Sequence, residues 1–262
     1  MIRLTHVGGP TLLVEVGGWR LLTDPTFDPP GRRYRFGNGT SSRKVGGPAV
    51  TPADVGPVDA MLLTHDHHAD NLDDLGRIVL NGAGTVLTTE PGARRLGGAA
   101  VGLAPWGRSR LMAPGRPSVD VTATPARHGP PLSRFLVGDV IGFALAWEQQ
   151  RHGVLWISGD TVLHGGVREV ARRLVVDVAV LHLGAVRFPI TGPVRYTMSA
   201  RQAVVACRML RPRTVVPVHY EGWSHFRQGR PAVERALAAA PDVRERVQWL
   251  DPGVPRSVGE PC

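Results

Sequence analysis

Metal-binding side chains are concentrated in one short segment of the sequence, Thr64-His65-Asp66-His67-His68-Ala69-Asp70-Asn71. Three imidazoles and two carboxylates this close together would crowd polar and charged atoms for little structural gain, whereas a bound cation explains them. Neutral imidazole and carboxylate are ligands for zinc, and also for manganese or iron where oxygen ligands predominate. The segment therefore predicts a metal site, with a polar surface loop as the alternative interpretation.

Other strand-like segments also end in residues that bind metals. The runs VDAMLLT, VTATPAR, VLWISG and TVVPV lead to His65, His128, Asp160 and His219, in that order. A single histidine after a strand is more often a packing or surface residue, but this pattern occurs four times. Because strand ends converge at one edge of an open sheet, where loops present side chains from a rigid support, we expect these four residues to meet.

The elements that must position these residues indicate a mixed α/β chain. Residues rich in β-branched and alternating apolar side chains predict strands at 2–6, 12–16, 19–23, 58–64, 85–88, 119–124, 140–147, 153–158, 176–181 and 214–218. Helices are predicted at 91–96, 167–174, 199–210 and 231–239.

Length and composition limit the class of protein. With 262 residues and 42% hydrophobic content, the sequence predicts one domain over 1–262, with 253–262 as a flexible tail. The first residues lack the apolar core of a signal peptide, and the longest apolar stretch contains Asp177 and His182, which favours a cytoplasmic protein without a membrane span. Cys207 and Cys262 are the only cysteines, so neither a disulfide framework nor a thiolate zinc site is indicated.

The net charge of +9 would favour anionic partners if it were concentrated on one face, but the arginines are scattered and biased coding composition explains them equally well. Residues 26–51 contain a long Gly- and Arg-rich segment without apolar periodicity, which predicts either a substrate-covering loop or a solvated one. In the first case, Arg43 and Lys44 would bind an anionic small-molecule substrate.

The residues resemble the metallo-β-lactamase superfamily, whose motif HxHxDH is followed by a separate His, a metal-bridging Asp and a final His. The resemblance is closest to the ascorbate-6-phosphate lactonase-like branch. It implies an α/β fold, a four-layer αββα sandwich, and metal ligation by His65, His67, His128, Asp160 and His219. The matching strings, in order along most of the chain, are Thr5-His6-Val7-Gly8, Leu22-Thr23-Asp24-Pro25, the His/Asp segment, Ser158-Gly159-Asp160-Thr161, Tyr196-Thr197-Met198 and Val216-Pro217-Val218-His219-Tyr220.

The His/Asp segment departs from that motif by one position. Ala69 stands where the motif has Asp, Asp70 comes one residue later, and Asn71 follows where a His is usual. Aligned from its C-terminal side, His68 and Asp70 fall into register, so Asp70 and either His67 or His68 are expected as ligands. An amide at Asn71 would weaken the second metal position, and a protein with one ion is therefore an alternative to one with two.

The resemblance implies a metal-dependent hydrolase in which metal-bound hydroxide cleaves a small-molecule ester, lactone, amide or phosphodiester. Asp70 and Asp160 are the expected catalytic residues, the first orienting or deprotonating the nucleophile and the second bridging the ions. Zinc, as one or two ions, is the expected cofactor, with manganese or iron as alternatives. Asp24 and Asn71 are expected to hydrogen-bond ligand side chains.

Several residues beside the ligand-bearing segments are candidates for substrate contact, although ordinary packing explains each of them as well. They are His164, His182, Tyr196 and Tyr220, with Trp223 and His225 beyond them. Two other functions remain open: a nuclease, for which the interval between Asp160 and His219 is too short to hold the large inserted domain of RNA-processing relatives, and a non-catalytic metal-binding sensor. The sequence predicts neither the substrate nor the oligomeric state.

Overall fold

Two β-sheets form the centre of the fold in the computed structural model, which describes residues 2–148 and 150–259. The first sheet contains β1 Ile2–Gly8, β2 Thr11–Val16, β3 Trp19–Thr23, β6 Ala60–Leu62, β7 Thr85–Thr89, β8 Ala100–Leu103 and β15 Arg256–Val258. Their spatial order is β15-β1-β2-β3-β6-β7-β8. The strands from β3 to β8 pair in parallel, so their carboxyl ends lie at one edge.

The second sheet contains β9 Arg108–Leu111, β10 Val119–Pro125, β11 Ile141–Trp147, β12 Val154–Ile157, β13 Val176–His182 and β14 Thr214–Val218, in the spatial order β14-β13-β12-β11-β10-β9. Two further strands, β4 Arg33–Gly37 and β5 Thr40–Arg43, form a separate antiparallel hairpin. Parallel pairing of β12, β13 and β14 again brings carboxyl ends together at one edge.

Helices cover the outer faces of both sheets. They are α1 Pro52–Val55, α2 Asp74–Leu80 and α3 Glu90–Leu96 outside the first sheet, and α5 Gly165–Arg173, α6 Ala200–Leu210, α7 Arg230–Ala238 and α8 Pro241–Arg244 outside the second. The short helix α4 Arg134–Val137 and a 3-10 helix at Pro189–Thr191 lie in connecting segments. The side chain of Ser199 caps α6 by accepting a hydrogen bond from the backbone N–H of Gln202. Within residues 2–148 and 150–259, no helix combines the length and apolar character needed to cross a bilayer.

Alternation along the strands separates three apolar cores. On β2, Leu12 and Val14 pack between the two sheets, whereas Leu13 packs against the helices outside the first sheet. On β13, Val178 and Val180 face the space between the sheets, while neighbouring residues pack against α5 and α6. The result is the four-layer αββα sandwich that the sequence predicts, with the sheet edges free to carry loops.

Two sequence-based expectations need correction. The segment predicted as a flexible tail from residue 253 contains β15, because Val258 pairs with Ile2 and is buried in the core between the sheets; residues 260–262 lie outside the described residues. The segment predicted as an irregular loop at 26–51 contains the β4–β5 hairpin. Its turn uses Asn38 and Gly39, both with positive φ (49° and 75°), the geometry that Asn-Gly favours in two-residue hairpin turns.

Candidate metal centre

The ends of four strands bring the predicted ligands together. His65 follows β6 and His128 follows β10, while Asp160 and His219 follow β12 and β14. All four side chains are buried, with exposed fractions of 6% or less. They meet where the carboxyl edges of the two sheets face each other, because the strands that precede them end at that edge.

Two groups of ligand atoms share one aspartate. In the first group, His65, His128 and Asp160 each offer an atom within 4.8 Å of the others, and in the second, Asp70, Asp160 and His219 do the same. Asp160 therefore lies between the two groups. Such an arrangement has the form of two adjacent cation positions joined by one carboxylate.

His67 and His68 differ in where their rings point. The ring of His68 is buried with Nδ1 3.2 Å from Nε2 of His65 and packs against the ring of His128 at 5.0 Å. The ring of His67 is 21% exposed, and its Nε2 contacts the backbone carbonyl of Val137. His67 also has an atom within the 4.8 Å group formed with His65 and His68, so it borders the centre from the outside.

Hydrogen bonds to neighbouring groups orient the ligand histidines. Asp24 accepts bonds from the backbone N–H (2.7 Å) and the hydroxyl (2.9 Å) of Thr64, whose oxygen in turn lies 3.1 Å from Nδ1 of His65. With that hydroxyl proton given to Asp24, Thr64 accepts from Nδ1–H of His65. This tautomer leaves Nε2 of His65 as the free ligand atom.

The carbonyl of Tyr196 acts in the same way on His128, accepting from its Nδ1–H at 2.8 Å. Asn71 is completely buried below this network, and its amide N–H₂ lies 3.4 Å from the Thr64 hydroxyl. Asp24 and Asn71 both contact the Thr64 hydroxyl, and their support of ligand side chains stays a prediction.

His225 supports Asp70 from the opposite side of the centre. Its Nε2 donates to one carboxylate oxygen of Asp70 at 2.9 Å, and its Nδ1 lies 2.5 Å from the hydroxyl of Ser42 on β5. The ring of Phe188 stacks on His225 at 5.0 Å with an interplanar angle of 8°. A hydrogen-bond chain thus connects the β4–β5 hairpin to an expected metal ligand.

Burial and charge keep most of these imidazoles neutral. Burial, with the neighbouring imidazoles, lowers the pKa of His65 and His68 well below the usual value. Burial also lowers the pKa of His128 and of His182 to about 3. Neutral imidazole is the form that coordinates a metal.

His219 and the carboxylates behave differently. Although burial opposes the charged form, Asp160 and Asp70 raise the pKa of His219 to about 9. Burial raises the pKa of Asp160 to about 6 against the opposing charge of His219, while the hydrogen bond from His225 and the ion pair with His219 outweigh burial and hold the pKa of Asp70 well below its usual value. The protonated ring of His219 balances the negative charges of Asp70 and Asp160, and a bound cation would balance the same two charges.

The remaining polar atoms fit a cation. Both carboxylate oxygens of Asp160, one oxygen of Asp70 and both ring nitrogens of His219 are buried without a hydrogen-bond partner. Buried polar atoms in folded proteins are otherwise nearly always paired. Unpaired donors and acceptors at one point, all of ligand type, are the signature of a site formed to coordinate metal.

Two residues at the centre have strained backbones. Asp24 and His219 have φ values of 34° and 56°, in the left-handed region that non-glycine residues rarely occupy. The backbone N–H of His219 donates to the carbonyl of Gly9 at 2.7 Å, which ties this conformation to the β1–β2 turn. The strain aims the His219 ring into the centre immediately after β14 ends.

A cavity of about 90 Å³ opens onto the metal centre and is roofed by the β4–β5 hairpin. Of the predicted substrate-contact residues, Tyr196 lines this cavity. His164 caps α5 and lines a separate cavity of about 330 Å³ on the far side of His128. His182 is completely buried beside Asp24, and Tyr220 packs on Trp249 in the helical core.

Arg43 and Lys44, the expected cationic contacts with a substrate, do not line this cavity. Lys44 is 3% exposed and pairs with Asp73 at 2.7 Å, so its charge is already compensated inside the protein. Arg43 is exposed on the outer side of the hairpin and does not line the cavity. The spacing of residues in the sequence did not predict the ion pair between Lys44 and Asp73, because the two residues are far apart along the chain.

Sequence reasoning also missed the apolar residues of the cavity. Phe36 on β4 packs against His68 at 5.5 Å and His225 at 5.1 Å, and Phe188 packs against Phe36 at 5.6 Å. The available signal was the Asn-Gly pair at 38–39, which predicts a hairpin but does not predict that Phe36 faces inward.

Comparison with known proteins agrees with this geometry. A family model described as a beta-lactamase superfamily domain matches residues 19–220. A UPF0173 metal-dependent hydrolase from Pyrobaculum neutrophilum is 30% identical over 258 residues, covering 96% of this chain and 98% of that protein.

Two solved structures show the same fold. The isothiocyanate hydrolase from Delia radicum gut bacteria superposes with a TM-score of 0.80 at 20% identity, over 98% of this chain and 99% of the other. The metallo-beta-lactamase fold protein YhfI from Bacillus subtilis superposes with a TM-score of 0.57 at 12% identity, over 98% and 100%. The fold class predicted from the sequence is confirmed.

Proposed function

The chain belongs to the beta-lactamase superfamily, and we propose that it is a metal-dependent hydrolase acting on a small-molecule substrate. The observation that carries this proposal is the pair of ligand groups sharing Asp160, with their buried and unpaired ligand atoms. The proposed metal ligands are His65, His68, His128, Asp70, Asp160 and His219.

Zinc is the proposed metal, as one or two ions, because the ligands are neutral imidazoles and carboxylates. The group containing Asp70, Asp160 and His219 is richer in oxygen than the group containing His65 and His128, which keeps manganese and iron as alternatives there. Asn71 contacts the Thr64 hydroxyl and is proposed to support His65 rather than to bind metal.

Bound divalent metal would lower the pKa of an attacking water and polarise the bond to be cleaved. The contribution of the chain is orientation. Asp70, fixed by His225 through one carboxylate oxygen, presents its other oxygen to the centre, where it would bind the metal beside the attacking water. Because His225 fixes Asp70 from the opposite side, we propose that Asp70 positions the nucleophile.

The test is metal analysis followed by reconstitution. We expect the purified protein to hold at least about one equivalent of tightly bound transition metal, to lose it to a chelator, and to regain hydrolysis when zinc, manganese or iron is restored. The substrates compared would be neutral esters, lactones and a chromogenic phosphodiester. Protein that binds less than one equivalent under all conditions would contradict the proposal.

A further inference from the structure

The cavity beside the metal centre has an uncharged wall. Apart from the ligand-type residues His68, Asp70 and His128, and His225, which bonds Asp70, it is lined by neutral side chains. The apolar ones are Phe36, Leu136, Val137, Val186, Phe188 and the ring of Tyr196. Asn38, Thr40 and Thr191 add neutral polar groups. Among the described residues, no lysine or arginine lines this cavity.

The alternation of side chains along β4 and β5 explains why the arginines of the hairpin do not line the cavity. On β4, Arg33 and Arg35 are exposed, whereas Tyr34 is buried and Phe36 faces the cavity. On β5, Arg43 is exposed as well. The hairpin therefore presents its arginines to solvent and its apolar residues to the substrate side.

The hairpin is held closed over the cavity. The side-chain N–H₂ of Asn38, at the hairpin turn, donates to the carbonyl of Leu136 at 3.2 Å, across the cavity mouth. At the other end, Ser42 contacts both His225 (2.5 Å) and Ser224 (3.1 Å). These bonds fix the inner face of the roof, so the uncharged lining belongs to the closed site.

From these observations, and building on the proposed hydrolase function, we infer that the substrate carries a small, uncharged, aliphatic group next to the bond that is cleaved. Short-chain neutral esters and lactones fit this description. No lysine or arginine among the described residues lines the cavity, so an anionic group that does not reach the metal would be buried near the carboxylate of Asp70 without a partner, and such burial is unfavourable unless the charge is paired. The volume of about 90 Å³ is smaller than the cavity of roughly 150 Å³ that holds benzene in an engineered protein, so the group bound there has only a few carbon atoms.

This substrate class contrasts with the anionic substrate expected from Arg43 and Lys44. Lys44 is neutralised by Asp73, and Arg43 lies outside the roof. Among the described residues, none of the lysines and arginines behind the net charge of +9 lines this cavity.

The experiment compares two nearly isosteric substrates with the same leaving group, p-nitrophenyl pentanoate and mono-p-nitrophenyl succinate, on the metal-reconstituted enzyme. The enzyme-free rate of each ester is subtracted, because the succinate carboxylate attacks its own ester and releases p-nitrophenolate without the enzyme. We expect kcat/KM for the neutral ester to exceed that for the anionic ester by at least about tenfold. Equal or faster hydrolysis of the succinate would overturn the inference while leaving the hydrolase function intact.

Binding of unreactive analogues separates the two proposals. N-methylpentanamide and N-methylsuccinamate would be titrated into the metal-free protein by ligand-observed NMR, with only the neutral amide expected to bind. If the neutral amide binds but neither ester is hydrolysed, the hydrolase function fails and the cavity inference stands. If neither amide binds, or the anionic one binds at least as well, the cavity inference fails.

Leu136→Lys adds a cation at the rim without burying it, because this side chain is already 68% exposed. It should raise kcat/KM for the succinate relative to the pentanoate by about threefold to tenfold. Leu136→Gln is the matched neutral control and should leave the ratio unchanged. An equal change in both variants would show that the ratio depends on loss of the leucine and not on charge.

Discussion

Replacement of Asp160 by Asn tests whether the carboxylate is held for a metal or for the fold. Both its oxygens are buried and lack hydrogen-bond partners, and its nearest charged neighbour is the His219 ring at 3.5 Å. Burial raises its pKa from 3.8 to about 6. The ionised carboxylate therefore destabilises the metal-free protein at pH 8 by up to about 3 kcal/mol, at 1.36 kcal/mol per pKa unit.

The Asn variant removes that cost, partly offset by loss of the attraction to His219. We expect metal-free Asp160→Asn to unfold at the same temperature as wild type or above it, with a free-energy gain between about 0 and 3 kcal/mol at pH 8. A carboxylate with a lowered pKa stabilises the fold at high pH, whereas Asp160, with a raised pKa, does the opposite. Its contribution to the free energy of unfolding is fully present below pH 3.8 and is lost as the pH rises through about 6. The difference between the two proteins should therefore disappear as the pH falls toward 4.

Asp73→Asn is the matched control, because Asp73 is equally buried but fully paired. It accepts hydrogen bonds from the backbone N–H groups of Phe27, Asp28 and Gly76 at 2.7–2.9 Å and pairs with Lys44. Leaving Lys44 buried without its partner should cost about 3–5 kcal/mol, or roughly 10 °C in melting temperature for a chain of this size.

Differential scanning fluorimetry with and without added metal measures both effects. At a metal concentration of about one hundred times Kd, wild type should gain about 2.7 kcal/mol. Asp73→Asn should keep this gain, whereas Asp160→Asn should lose most of it together with hydrolysis. If Asp160→Asn destabilises the metal-free protein as much as Asp73→Asn does, or retains the full metal-induced shift, the reasoning is refuted.

Three further outcomes are expected. His68→Ala should reduce metal affinity at least tenfold, whereas His67→Ala should leave it within about twofold, because only His68 is buried against His65. Competition with a chromophoric chelator measures both affinities. A larger loss of affinity in His67→Ala than in His68→Ala would contradict the assignment of His68 as the ligand. His225→Phe preserves a ring beside Phe188 but removes the bond to Asp70, so kcat should fall about tenfold to a hundredfold with metal content unchanged, whereas an unchanged kcat would exclude positioning through Asp70. Gly39→Val forces a β-branched residue into a φ of 75° at the hairpin turn, which should raise KM while the melting temperature stays within a few degrees; a large loss of global stability would mean that the hairpin is part of the core.

Much of the centre could be predicted from types and order of residues. His65, His128, Asp160 and His219 each follow a strand-like run, and strand ends meet at sheet edges for reasons of backbone geometry alone. The runs by themselves predict a mixed α/β chain, and the αββα sandwich is what the resemblance to the metallo-β-lactamase superfamily implies. The prediction of a flexible tail from residue 253 was wrong because β15 is only three residues long and is defined by pairing with β1, at the opposite end of the chain.

The roof of the cavity was also beyond the sequence-based reasoning. Residues 26–51 lack a long apolar pattern, since the β4–β5 hairpin pairs with itself and buries only a few side chains. Its Arg43 and Lys44 suggested an anionic substrate, but the direction of each side chain depends on strand register. A shift of one residue exchanges the inner and outer faces of such a hairpin.

In the His/Asp segment, too, the sequence predicts the kind of ligand and the tertiary structure decides which side chains face the centre. The composition of this segment predicts that a cation binds there, because so many imidazoles and carboxylates in so few residues are ligand types for a metal. Whether His67 or His68 turns inward, and whether Lys44 meets a substrate or Asp73, was decided only by the tertiary structure. Ligand chemistry is a property of residue type, whereas the direction of a side chain depends on packing partners that are distant in sequence.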